Sequence, residues 1–300
     1  MLPRALQSIL RQIEDVEVIV VDDGSADENV ETIRQVCSDP RVRLVRNDES
    51  GWAPHARNQG LDLAGSRYWA TLDDDDEWLP GKWAAQRNIL EEENFPEDLV
   101  VVSGVRAARE GRERVVMPQV AEPVRLSGLS DLFQRVPISA FSYTFVAPTQ
   151  LLRSIGGWDV RAVWGEYTDL LIRLSKVARF VGPDHIGAHA YREHEQASSR
   201  VGRNWDRKVE GIRLLLDTHR AEFERDPEVL ALYLHVLGVS QLRAGDRWGA
   251  AQTFRQVVAT APSIGRRARG FAQLLTTVVG GPRLWRWLSR SRGMPADVIG

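Results

Sequence analysis

The chain has almost no cysteine, no long apolar run and no excess of charge of either sign. Cys37 is the single cysteine among 300 residues. That excludes an internal disulfide and leads us to expect a reducing, cytoplasmic compartment. Cys37 falls in a helical stretch and reads as buried filler rather than as a nucleophile. No apolar run is long enough to span a bilayer. Near the N-terminus Arg4, Gln7, Arg11 and Gln12 interrupt the apolar positions, which excludes the core of a signal peptide there. The formal net charge is −2, so there is no global basic field of the kind that attracts nucleic acid. A composition 43% hydrophobic and 27% charged is that of a soluble globular chain, long enough for one large domain or two smaller ones.

What the chain does have is an acidic run, Asp73-Asp74-Asp75-Asp76, directly after the apolar stretch Tyr68–Leu72. The stretch reads as a short buried strand. The carboxylates then stand at its carboxyl end, where open α/β sheets bind ligands. Carboxylates this close raise one another's pKa unless a cation compensates. Mg²⁺ or Mn²⁺ favours one or two carboxylates plus the phosphate oxygens of a substrate. In an extended segment alternate side chains share a face, so Asp73 and Asp75 are expected to converge on one ion. A solvated acidic turn ahead of a helix starting at Pro80 is the plain alternative.

Strand and helix patterns alternate along the first part of the chain. Apolar stripes predict helices over 2–13, 29–37, 53–64 and 81–92, with Asp27 as the cap of the second. Strands are predicted over 16–21, 42–45, 68–72 and 99–105, and Phe141, Tyr143 and Phe145 alternate as a strand would. This order implies an α/β fold with a mainly parallel sheet and helices on both faces. A second acidic pair, Asp22-Asp23, closes the strand over 16–21, so two acidic strand ends are expected on one edge of the sheet. From about Asn204 the pattern is helical throughout, which divides the chain into 1–203 and 204–300.

Five segments resemble the family 2 glycosyltransferases, whose fold is the nucleotide-diphospho-sugar transferase (GT-A, Rossmann-like) type. They are Leu6–Gln12, Glu17–Ser25, Gly51–Gly60 with Ala56-Arg57-Asn58-Gln59-Gly60, Leu72–Pro80, and Gly156-Gly157-Trp158-Asp159. They stand in the family's order over roughly residues 1–200. The resemblance implies inverting transfer of a sugar from a nucleoside-diphosphate donor, a UDP-sugar by family default, to a hydroxyl of a saccharide or lipid-linked acceptor. It implies that Asp22 or Asp23 contacts the base or ribose, that Arg57 lies near the phosphates, and that Asp73 or Asp74 touches the ribose. It also implies that Asp73 and Asp75 hold Mg²⁺ or Mn²⁺, with His194 in Tyr191-Arg192-Glu193-His194-Glu195 completing the metal shell or meeting the pyrophosphate.

The same resemblance puts the catalytic base at the start of a helix, in the stretch Gly165-Glu166-Tyr167-Thr168-Asp169. Glu166 and Asp169 match acidic positions of the family's motif, and they lie three apart on one helix face. Either is a candidate base, although acidic residues in a first turn also serve the helix dipole alone. Tyr167 stands where the family has its favoured Asp. The family's first strand, which would precede Leu2, is absent from this sequence, and a truncated start is the expectation. Those two departures support a second reading, a catalytically degenerate protein that binds or scaffolds. A metal-dependent phosphotransferase is a third reading, and it leaves the later motifs unexplained.

Trp158 and Trp164 flank the expected acceptor side, where packing is the plainer role for each. Leu234, Leu237, Gly238, Gly245, Ala250, Phe254 and Pro262 fit one tetratricopeptide-type helix pair, with small residues letting the helices approach. It is expected to pack on a helix over 208–224 or on a partner, since one repeat cannot bury its own apolar face. Residues 282–292 mix tryptophan with arginine as interfacial anchors do, so weak contact with the inner membrane surface is expected.

Overall fold

The computed structural model describes residues 1–109, 112–191 and 204–278. Along the chain α1 (Leu2–Leu10), β1 (Val18–Asp23), α2 (Asp27–Val36), β2 (Val42–Asn47), α3 (Trp52–Leu63) and β3 (Tyr68–Ala70) alternate as expected. Then come β4 (Glu77–Trp78), α4 (Lys82–Glu92), β5 (Leu99–Val101), β6 (Gly104–Arg109), β7 (Arg112–Val116), α5 (Gly128–Arg135) and α6 (Ile138–Thr144). They are followed by β8 (Val146–Pro148), α7 (Thr149–Ser154), α8 (Glu166–Ser175), β9 (Arg179–Val181) and β10 (Ile186–Tyr191). The rest is helical: α9 (Trp205–Thr218), α10 (Arg220–Arg225), α11 (Pro227–Ala244), α12 (Arg247–Thr260) and α13 (Ile264–Val278).

The α/β class read from the sequence is borne out, with mixed pairing. Among the described residues the strands form a parallel pair β1-β2 and two four-stranded sheets, β3-β8-β5-β9 and β4-β10-β6-β7. β5/β9 and β6/β10 are parallel, whereas β3/β8, β5/β8, β4/β10 and β6/β7 are antiparallel. A parallel pair needs a crossover of about a dozen residues or more, which the short β6–β7 connection cannot supply.

Contacts divide the chain into two compact units. One comprises Met1–Leu126, Gln134–Val160 and the chain from Glu166 to Tyr191. The other comprises Ser127–Phe133, Arg161–Gly165 and the chain from Asn204 on. In the first unit Leu90, Leu99, Val101, Val146 and Val181 form one buried cluster. Each contributes about 1.5–3 kcal/mol by leaving water. A second cluster joins Leu6 of α1, Val18 of β1 and Cys37, which is the buried filler expected.

Three local expectations fail for identifiable reasons. The strand expected over 99–105 is broken at Ser103, whose amide donates to the hydroxyl of Thr144 at 3.0 Å, and the chain passes from one four-stranded sheet into the other. Phe141 and Tyr143 lie in helix α6, not in a strand. Phe141 and Phe145 are four apart, the helical spacing, and their rings stack with centroids 4.6 Å apart. Asp27 does not cap α2; it lies in the first turn, and its carboxylate takes a hydrogen bond from Arg46.

In the second unit α11 and α12 form the helix pair expected. A Cβ on Gly238 would lie 2.6 Å from the Phe254 ring, so a small residue there is required for the approach. Nothing assigns this pair to the tetratricopeptide family. The single helix expected over 208–224 is two, α9 and α10, separated at His219.

Candidate active site

The acidic run leaves β3 and folds into a turn, closed by the Asp76 amide donating to the Asp73 carbonyl at 3.2 Å. Asp73 and Asp75 therefore do not share a face by strand alternation, as an extended segment would require. Asp74 is exposed, Asp73 and Asp75 are half-buried, and Asp76 is 4% exposed. Asp76 is held from β10, where the Tyr191 amide donates to its carboxylate at 2.9 Å, and the Tyr191 hydroxyl bonds Glu77 at 2.8 Å. From α1, the Arg4 guanidinium lies 3.7 Å from the centre of the Tyr191 ring and donates to the Asp75 carbonyl.

The charge in this turn is under-compensated. Although Asp74 is exposed by area, the protein atoms crowded around its carboxyl group, then the neighbouring Asp73, raise its pKa. Burial, then Asp73 and Asp74, raises that of Asp75. Asp76 is pushed up to about 7 by burial, then by Asp73 and Asp75. Such a donor set fits a hard divalent cation that takes one or two carboxylates and fills its shell with substrate oxygens. Among the described residues no three His, Cys, Asp or Glu side chains form a cage for a metal by themselves. His194 lies outside the described residues.

Beside this turn, Arg57 of α3 joins three elements. Its guanidinium pairs with Asp73 at 2.9 Å and with Glu166, the first residue of α8, at 3.1 Å. It also lies 4.5 Å from the centre of the Tyr167 ring. Burial raises the Glu166 pKa, with Arg57 opposing. Tyr167 is 8% exposed and packs edge-on against Phe141, Phe145 and Trp158. Its hydroxyl reaches Thr71 at 3.2 Å, and burial raises its pKa. The structure thus brings Arg57, Asp73 and Glu166 together.

Other expected residues are engaged by protein partners. Asp23 accepts from the side chains of Asn47 and Ser50 and from the amides of Gly51 and Trp52, at 2.7–3.1 Å. Burial pushes its pKa up, but these donors outweigh it and hold the group below its ordinary value. Gly24 makes this possible: it has φ +80°, and a Cβ there would lie 2.9 Å from the Ser50 amide. Asp22 accepts from the Ser25 amide at 3.0 Å and from Arg46 at 2.5 Å. Asp169 is 2% exposed and ion-paired with Arg173, which also donates to the carbonyls of Ile155 and Gly157. It thereby secures the Gly156-Gly157 turn, where Asn58 grips the Trp158 backbone with two 2.8 Å hydrogen bonds. Trp158 and Trp164 are 1% and 8% exposed, so both are packing residues.

Sequence reading missed Arg4, Thr71, Asp76 and the latching role of Tyr191. Only Asp76 carried a signal, as the last carboxylate of the run. Further along, an open cleft of about 670 Å³ is lined by Leu79, Pro80, Arg106, Val115, Met117, Asp184, His185 and Ile186. None of Asp73–Asp76 lines it.

Comparison with known proteins bears on the family and the fold. Residues 1–145 match the model of glycosyl transferase family 2. The putative colanic acid biosynthesis glycosyl transferase WcaA of Escherichia coli K12 is 40% identical over 81 residues, 26% of this chain and 29% of that protein. The Escherichia coli UDP-Glc:alpha-D-GlcNAc-diphosphoundecaprenol beta-1,3-glucosyltransferase WfaP is 35% identical over 89 residues, 29% of this chain and 35% of that protein. The chain thus spans about a third of the length of these relatives. Among solved structures, S. aureus TarS 1-349 superposes with a TM-score of 0.57 at 16% identity, covering 96% of this chain and 88% of that one. The same protein in complex with UDP-GlcNAc gives 0.53 at 16% identity, over 91% and 76%. At that identity the likeness shows the fold.

Proposed function

We propose that the family 2 glycosyltransferase domain, formed by residues 1–145 and joined by Glu166 of α8, transfers a sugar with inversion from a nucleoside-diphosphate donor to an acceptor hydroxyl. The observation that carries this is the convergence of Arg57, Asp73 and Glu166 beside an under-compensated carboxylate turn. A UDP-sugar is the donor this reading favours, because the TarS neighbour is described in complex with UDP-GlcNAc. A lipid-linked or envelope saccharide is the acceptor it favours, because WfaP acts on a diphosphoundecaprenol-linked sugar.

Asp73 and Asp75 would hold Mg²⁺ or Mn²⁺. When bound, the ion supplies positive charge against the diphosphate and the leaving nucleotide. Arg57 orients Asp73 and Glu166 and adds a fixed positive charge beside them. Glu166 takes the proton from the acceptor hydroxyl as that oxygen attacks. Its raised pKa makes it a better base than an exposed glutamate. Asp169, tied to Arg173, positions α8 rather than moving a proton.

Tyr167 favours a second reading, a degenerate member that binds the nucleotide without transferring. It fills the family's Asp position with a buried phenol bonded to Thr71. Release of UDP from UDP-glucose and UDP-GlcNAc in the presence of Mn²⁺ separates the two. Turnover lost in Glu166→Gln supports transfer, whereas nucleotide binding with no turnover supports the degenerate form.

A further inference from the structure

The expected membrane anchor at 282–292 lies outside the described residues, but α12 and α13 carry a surface of their own. Ile264, Ala268, Phe271 and Leu275 recur at helical spacing along one side of α13, and all are exposed. Ile264 is 85% exposed, Phe271 53% and Leu275 46%. The opposite side of the helix is satisfied: Gly270 sits against Val257, and Leu274 packs on the cluster of Leu234, Val239, Ala250, Phe254 and Val257. Arg247 of α12 donates to the Thr277 carbonyl at 2.5 Å, which brings Trp248, 76% exposed, to the far end of α13. An isolated exposed apolar side chain means little, but a stripe with an exposed tryptophan at its end marks an interaction surface.

The charge around it identifies the occupant. From Arg247 to Ala296 there are nine arginines and no acidic residue. The first 246 residues hold 30 basic and 40 acidic side chains, a net charge of −10. Arg267 and Arg269 flank the apolar stripe on α13. The near-neutral total therefore conceals a cationic end carrying an unpartnered apolar face. An acidic protein groove would match the charge, but an exposed tryptophan beside a narrow apolar stripe flanked by arginines is the pattern of a helix lying in a headgroup layer. We infer that the outer face of α13, with Trp248, docks on an anionic lipid surface. This does not depend on the transfer reaction.

The test is co-sedimentation of the full chain with vesicles of phosphatidylcholine, alone or with about 40% phosphatidylglycerol. Binding should be at least about tenfold tighter on the anionic vesicles and should weaken as salt rises from about 0.1 to 0.5 M. It should fall at least about tenfold in Phe271→Ser/Leu275→Ser, and separately in Arg267→Gln/Arg269→Gln. Phe271 and Leu275 face outward, whereas Arg267 also donates to the Ala261 carbonyl, so thermal melts of both variants check that folding is intact, and the Phe271/Leu275 pair carries the test if the arginine pair melts lower. Absent binding, equal binding to neutral and anionic vesicles, or full binding by the Phe271/Leu275 variant overturns the inference. So does a dimer in sedimentation velocity that the same variant dissolves, since a second copy would then be the occupant.

Discussion

Replacing Arg57 by glutamine should destabilise the protein, and more at high pH than at low. Arg57 is 13% exposed, with Glu166 at 19% and Asp73 at 44%. Removing one partner of a fully buried pair costs about 3–5 kcal/mol. The Glu166 arm keeps some water, which brings it to about 2–3 kcal/mol, and the exposed Asp73 arm adds about 0–1 kcal/mol. The contact with the Tyr167 ring overlaps these, so the net loss at pH 8 should be about 2–4 kcal/mol. The sign of the pH dependence follows from Glu166. Burial raises its folded pKa, and Arg57 opposes that rise. Without Arg57 the pKa climbs further. A carboxyl raised in the folded state adds stability below its unfolded pKa and loses it as pH climbs through the folded one. The deficit of Arg57→Gln should therefore be about 1–2 kcal/mol smaller at pH 5 than at pH 8, since each pKa unit is worth about 1.4 kcal/mol. Urea unfolding followed by tryptophan fluorescence measures both values. In a Glu166→Gln background the same substitution should cost about 1–3 kcal/mol less. A loss that is the same at both pH values, or additive with Glu166→Gln, refutes the reasoning.

Three further outcomes follow from the same geometry. Glu166→Gln should abolish turnover with little change in melting temperature, whereas Asp169→Asn should lower the melting temperature by releasing Arg173 from the Ile155 and Gly157 carbonyls; the reverse pattern in paired melting and turnover assays would exchange their roles. Tyr167→Asp, the residue that the resemblance would put there, should destabilise by about 3–5 kcal/mol because it empties the space between Phe141, Phe145 and Trp158; an unchanged melting point with faster turnover would show that the phenol is dispensable. Asp76→Asn should raise stability at pH 8 by about 1–2 kcal/mol and have no such effect at pH 4, because a carboxyl lifted to about 7 costs stability only once it ionises; equal melting points for the two proteins at pH 8 would count against that burial.

Much of the fold was legible because its periodicities are local. The alternation from α1 to β3 follows from apolar spacing and from turns at acidic and glycine residues, and the structure keeps each element within a few residues. Pairing direction was not legible, because it depends on where β8 and β10 return, and no local pattern encodes that. α6 was misread because phenylalanines at 141 and 145 satisfy the helical spacing while Tyr143 between them mimics alternation. At the candidate site, motif resemblance named Arg57, Asp73 and Glu166, which the structure brings into contact. It could not show that Asp23 and Asp169 spend their carboxylates on the 50–52 segment and on Arg173. Nor could it show Arg4, which reaches the acidic turn from 71 residues away in sequence.

The most direct test is calorimetric titration of the full chain with UDP, in Mn²⁺ and in EDTA. If the carboxylates at 73–76 share a cation with a diphosphate, UDP should bind in Mn²⁺ at least about tenfold more tightly than in EDTA, and Asp73→Asn/Asp75→Asn should bind in Mn²⁺ no better than the unaltered protein does in EDTA. Equal affinity with and without the metal, or no UDP binding under either condition, would contradict it.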